Sequence, residues 1–200
     1  MRLIHLALVL VTTALITGCE RDYIHINDVP VREERVNAAW AEIEVQYQRR
    51  AELIPNLVEV VRKASAHERE TLLLVTEARA AAQSSARPES AHDATNMQTY
   101  EAAQANLSKA LSSFIVTIER YPELQTNRNY LTLMSQLEGT ENRIALARSN
   151  YVHSVAAYNA ALKTYPSKLW RDTLYSDRQP IETYYTSSIE NADQAPAVEL

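Results

Sequence analysis

The sequence predicts an all-α protein: an up-and-down antiparallel four-helix bundle with long first and fourth helices and an irregular C-terminal tail. Three observations carry this. Glycine is nearly absent, with two in 200 residues, Gly18 and Gly139, so the tight turns of a sheet have little to work with. Alanine, leucine, glutamate, glutamine and arginine crowd the middle of the chain. Large apolar residues recur at intervals of three, four and seven, the stripe of a helix that buries one face.

The amino terminus comes first. Met1-Arg2 supplies a positive charge, and Leu3 to Ile16 is apolar apart from His5 and two threonines. That stretch is about fourteen residues, short of the ~20 that a helix needs to cross a bilayer, so it reads as a signal peptide over 1–18. Ile16-Thr17-Gly18-Cys19 resembles a lipobox, in which an aliphatic residue and two small ones present a cysteine for lipid attachment before cleavage. Cys19 is the only cysteine in the chain, so the mature protein can form no internal disulfide and is stabilised by packing.

Beyond a linker over 19–29, the first helix runs from Val29 to about Ala66. Trp40, Tyr47, Ile54 and Val61 recur every seven residues, with Val36, Ile43 and Leu57 between them. Pro55 falls inside this seam and predicts a kink near Ala51 to Pro55 rather than two helices. A second helix is expected from His67-Glu68 to about Ala82, with Leu72, Val75 and Ala82 inward. Serine and proline break the period from Gln83 to Asp93, a loop. A third helix carries Met97, Tyr100, Leu107, Leu111, Phe114 and Ile118 to a stop at Tyr121-Pro122. A fourth, from about Leu124 to Thr164, repeats Tyr130, Leu137, Ile144, Tyr151, Tyr158 and Tyr165 at seven-residue spacing. Short connections make neighbouring helices antiparallel, and the bundle occupies 30–166. The tail, 167–200, offers Leu169, Trp170, Tyr175, Ile181, Tyr184 and Tyr185 as surface for partial packing; from about Ser187 it reads as disordered.

At these positions the chain resembles the LemA family. The stretches that carry the likeness are Ala39-Trp40-Ala41-Glu42-Ile43-Glu44-Val45-Gln46, Arg49-Arg50 and Leu53-Ile54-Pro55-Asn56-Leu57-Val58. His67-Glu68, Tyr121-Pro122-Glu123-Leu124, Leu137-Glu138, Thr140-Glu141-Asn142-Arg143-Ile144-Ala145 and Ala147-Arg148 follow in order. The resemblance implies a membrane-attached antiparallel four-helix bundle and no defined activity. Two departures stand out. A lipobox replaces the family's retained amino-terminal membrane helix, and Tyr151-Val152-His153 replaces its tyrosine-asparagine pair, although Tyr158-Asn159 preserves such a pair one heptad later.

Charges interrupt the apolar seams. Arg50 lies seven residues from both Ile43 and Leu57, and Glu141 and Arg148 lie between Met134 and Val155 on the same spacing. Glu44, Arg50, Glu141 and Arg148 therefore form a candidate polar core network, since a buried charge without a partner costs several kcal/mol. Three readings are open: the network fixes helix register, the charges snorkel to solvent, or they line a small polar cleft.

No catalytic, cofactor-binding or metal site is expected. A di-metal bundle uses two Glu-x-x-His pairs, and the single instance, Glu89-x-x-His92, falls in the loop. Few glycines exclude a phosphate-binding loop, and no serine stands in a nucleophile motif. Loss of Arg2 with the leader takes the net charge from −5 to −6, which disfavours a nucleic-acid partner. The expectation is a cell-envelope scaffold or adaptor held to a membrane by lipid on Cys19, palmitate included, with an unidentified envelope protein as partner. Glu20 follows the lipid site, where an aspartate would favour the inner membrane, so the periplasmic face of the outer membrane of a diderm cell is expected. The alternative is a small-ligand carrier or an enzyme using the polar seam.

Overall fold

The computed structural model describes residues 26–64 and 69–182. Among these residues six helices and no strand are present: α1 Asp28–Ala64, α2 Arg69–Ser84, α3 Ala94–Ile118, α4 Pro122–Gln125, α5 Arg128–Ala161 and α6 Ser167–Thr173. Cys19, the leader, His67-Glu68 and the tail beyond Glu182 lie outside the described residues.

The helix ends follow local chemistry. Asp28 places a carboxylate at the positive end of α1 and pairs with Arg32 at 2.8 Å, while Arg62 and Lys63 occupy its last turn. Asp93 caps α3: one carboxylate oxygen accepts from the Asn96 backbone N–H at 3.2 Å and the other from the Asn96 side chain at 2.7 Å. The Asn96 side chain first, then its backbone, holds the Asp93 carboxyl below the usual aspartate range. Asn127 caps α5, accepting from the N–H groups of Asn129 and Tyr130.

α1 continues through Pro55 as one helix. Proline has no N–H to give the carbonyl four residues back, so the Ala51 oxygen loses its helical donor. The Arg79 guanidinium on α2 replaces it, its Nε donating to the Ala51 oxygen at 2.8 Å. A local defect in α1 thus becomes a tie between helices.

Side-chain contacts give the directions. Trp40, Tyr47 and Arg50 of α1 meet Tyr151, Arg148 and Glu141 of α5, so those helices are antiparallel and pack along their length. Tyr47 meets Tyr100, and Arg50 meets Gln104 and Ser108, so α1 and α3 run parallel. The backbones of α2 and α3 approach closely, whereas those of α3 and α5 scarcely do.

The buried residues fall into two clusters. One is rich in aromatics and comes from α1, α3, α5, Ala91 and Ile181: Trp40, Tyr47, Met97, Tyr100, Tyr151 and Tyr158 are its large members. The other adds α2 and α4 and is mostly aliphatic, built from Ile54, Leu57, Val61, Val75, Leu107, Leu111, Ile118, Leu124 and Leu137 around Phe114.

Two details differ from the periodic reading. The fourth long helix does not begin at Leu124, because Asn127 caps a new helix after the short α4. It also ends at Ala161, so Tyr165, one heptad past the buried Tyr158, no longer points inward and is 75% exposed. The tail contributes α6 and then an extended stretch to Ile181, which is buried.

Candidate functional site

Where the aromatic cluster gives way to the aliphatic one, a polar layer crosses the bundle. Its centre is Arg50, placed on the inward stripe of α1 between Tyr47 and Ile54 and 0% exposed. One terminal nitrogen donates to Ser108 Oγ at 2.7 Å and to Glu141 Oε1 at 3.0 Å. The other donates to the Gln104 side-chain oxygen at 2.6 Å and to the Gln104 backbone oxygen at 3.2 Å. Three helices therefore meet on one cation. Arginine suits this role because its charge is spread over a planar fork that can face several acceptors at once.

The Arg50 guanidinium also lies 5.2 Å from the centre of the Tyr47 ring, within cation–π range. On the same ring, Arg148 stands at 5.6 Å and donates from Nε and Nη2 to the Tyr47 hydroxyl at 3.1 and 2.7 Å. Tyr47 thus couples the two arginines. Ring contacts continue the layer upward: Tyr47 and Tyr100 are tilted with centres 5.8 Å apart, and Trp40 meets Tyr100 at 6.1 Å and Tyr151 at 5.8 Å edge to face. Burial pushes the Tyr151 and Tyr158 hydroxyls up to about 12 and raises that of Tyr100.

Of the four residues of the candidate polar network, Arg50 and Glu141 form an ion pair, and Arg148 joins them through Tyr47. Glu44 does not take part. It is half-buried and lines a groove on the outer side of α1, away from the partners of Arg50. Glu141 is only half-buried, with its side chain 40% exposed, so it closes the layer from the solvent side. Gln104 and Ser108 were absent from the sequence-based set. Gln104 had a signal, because it occupies the inward position between Tyr100 and Leu107; Ser108 had none.

A second polar cluster holds the tail. The Asn159 side-chain amide donates to the Ile181 carbonyl and accepts from the Ile181 N–H, both at 2.9 Å, as a neighbouring strand would. Tyr158 donates to the Gln179 carbonyl at 3.2 Å, and Arg178 pairs with Glu33 of α1 at 3.2 Å. The Tyr158-Asn159 pair is thus the clasp for residues 178–181.

Two grooves flank the polar layer. One, about 830 Å³, follows α1 through Ala41, Val45, Gln48, Glu52 and Asn56, with Arg87 of the α2–α3 loop beside it. The other, about 330 Å³, lies between α3 and α5 and touches Ser108 and Glu141. Among the described residues no group of three or more histidines, cysteines or carboxylates is arranged to hold a metal, and no helix is long and apolar enough to cross a membrane.

A buried arginine thus ties three helices of this all-α bundle, and hydrogen bonds from the Asn159 side-chain amide pin its tail. The LemA family model matches residues 39–200, and the chain belongs to the LemA family. That match extends beyond residue 166 and takes in the clasped tail. The magnetosome protein MamQ of Magnetospirillum gryphiswaldense is 33% identical over 64 residues, covering 32% of this chain and 24% of MamQ.

Proposed function

We propose that this LemA-family bundle is an envelope scaffold, held to a membrane through lipid on Cys19, that presents the outer stripe of α1 to a helix of a partner protein. The observation that carries the reading is the groove along α1. Because α2 is only 16 residues long and runs antiparallel to the 37-residue α1, it covers the Ile54 to Val61 portion and stops before the Trp40 portion. Alongside α2 and past its end the outer stripe from Ala41 to Asn56 is open over about 22 Å of helix, room for about four turns of a partner. Val45 is 58% exposed in the middle of it, with Glu44, Arg49, Glu52 and Arg87 as a charged rim that a complementary helix would match.

In this reading the polar layer supports the site indirectly. Arg50 demands acceptors from α3 and α5 at one height, and a slip of either helix by a turn would strand a buried charge, so the layer fixes register. The anchor orients the bundle at the periplasmic face of the outer membrane. No chemical step is assigned to it.

The test is site-specific photocrosslinking in intact cells from Val45, Gln48 and Glu52, with Glu123 on α4 as a control position and Cys19→Ser to remove the anchor. One partner captured from the α1 positions, not from Glu123, and lost in Cys19→Ser is the expected result. Equal capture from all positions, or none from the α1 stripe, overturns the reading.

A further inference from the structure

We propose that the groove between α3 and α5 is a binding site for a small amphiphilic cation, a molecule with an apolar body and an amine head. The groove exists because the backbones of α3 and α5 stay apart, while α1 with α5 and α2 with α3 pack closely. Two turns of each helix form its walls, Ser108 to Ile115 and Met134 to Glu141, and the enclosed space is about 330 Å³. That is within the range of small-molecule pockets. At roughly 10 Å, the walls are too short for a partner helix to seat several anchor residues.

The groove is polarised along its length. Ile115 and Met134 line one end, Leu111 and Leu137 form a buried floor, and Ser108 and Glu141 stand at the other end with Glu138 at the rim. An apolar body would lie over the leucines with its head toward the carboxylates. The sign of that head follows from the polar layer. Arg50 is the cation behind this end, but it is fully buried and its terminal nitrogens already donate to Ser108, Glu141 and Gln104. An entering anion would therefore meet Glu138 and Glu141 before any positive charge. An amine would meet a carboxylate at Glu138 and the Glu141 side chain, of which only Oε1 is engaged by Arg50 and which remains 40% exposed. Ser108 accepts from Arg50 with one lone pair, and its second can accept from an amine N–H.

The site is independent of the α1 stripe and of any protein partner, so failure of one reading leaves the other standing. The probe is 4-phenylbutylamine, with 4-phenylbutanol and 4-phenylbutyrate as the neutral and anionic controls. Each is titrated by calorimetry into the full chain in lipid nanodiscs, with empty discs subtracted, and hydrogen exchange maps the contact. The amine is expected to bind saturably, ahead of the alcohol, with no heat from the carboxylate, and with protection gained at 108–115 and 134–141. Glu138→Gln, at an exposed position outside the ion pair, should weaken the amine about threefold and leave the alcohol unchanged. Ser112→Trp, which fills the mouth from an exposed position, should weaken both by about tenfold or more with helical content unchanged. Equal binding of all three probes, protection elsewhere, or no saturable amine binding overturns the proposal. So does binding of a basic amphipathic peptide where the amine fails.

Discussion

Two halves of one bundle meet at Arg50 and are held by different forces. Toward Phe114 four helices and α4 surround an aliphatic core, and stability there is a matter of filled volume. Toward Trp40 the second helix is missing, and three helices close the core with tyrosine and tryptophan rings, their hydroxyls and a stretch of tail. The extended tail segment takes part of the space that α2 leaves, through Ile181 and the Asn159 clasp, while the outer stripe of α1 stays open. The difference is instructive. A short α2 makes one half self-sufficient and leaves the other dependent on polar ties.

The sharpest break in that comparison is expected in the aliphatic half. Phe114→Ala removes a fully buried ring where no hydroxyl or tail can compensate, and should lower unfolding free energy by about 3–5 kcal/mol, read by urea denaturation. Tyr158→Phe in the other half keeps the ring and loses the bond to Gln179, for about 1 kcal/mol. If the two variants cost the same, the halves do not differ in the way described.

At the boundary, Arg50→Met tests what the polar layer contributes. The single change leaves the Gln104 oxygen without its donor in the core, while Glu141 can turn to water, so a loss of about 1–3 kcal/mol is expected. Adding Gln104→Leu should recover most of it, since an apolar replacement of a whole buried polar set is often neutral. Register is then read separately, by disulfide trapping between cysteines placed on α1 and α3. A double variant that stays stable and traps only the native pairing would show that Arg50 is not needed to set register.

The clasp comes next in size. Asn159→Ala removes two hydrogen bonds to Ile181 and should cost about 1–2 kcal/mol. Its signature is local: hydrogen exchange should speed up at Ile181 while the amides of α2 stay protected. Loss of protection throughout α2 and α3 would mean that the two halves unfold as one unit and that the tail supports both.

How far the sequence reveals these features depends on whether a contact leaves a periodic trace. The stripes through Trp40, Tyr47, Ile54 and Val61, and through Tyr130 to Tyr158, locate the long helices because each inward position recurs along one chain segment. Arg50 and Glu141 stand out as charges on those stripes. Their meeting point is a property of how α1, α3 and α5 are staggered, which no single segment encodes; Ser108 and the Tyr47 hydroxyl are visible only after packing. Tyr165 shows the opposite failure. A period can outlast its helix, and after Ala161 the spacing has no helix to act through. The Arg79 bond to Ala51 combines both lessons: Pro55 announces a missing donor, and the donor comes from elsewhere.

The last contrast between the halves is absent at neutral pH and emerges in alkali. Tyr151 and Tyr158, both in the aromatic half, have hydroxyls raised by burial from 10 to about 12. In the unfolded chain a tyrosine ionises near 10, so between these values the unfolded state has released protons that the folded state keeps. Stability linked to these groups is therefore fully present below pH 10 and is lost as pH rises through about 12. Tyr151→Phe should flatten the decline, and Tyr151→Phe with Tyr158→Phe should flatten it further, in chemical denaturation measured stepwise above pH 9. Tyr100 in the aromatic half and Tyr130 in the aliphatic half are raised too, each by burial first, so a residual slope is expected in the double variant. If the slope persists undiminished without Tyr151 and Tyr158, the alkaline weakness does not lie with these two tyrosines.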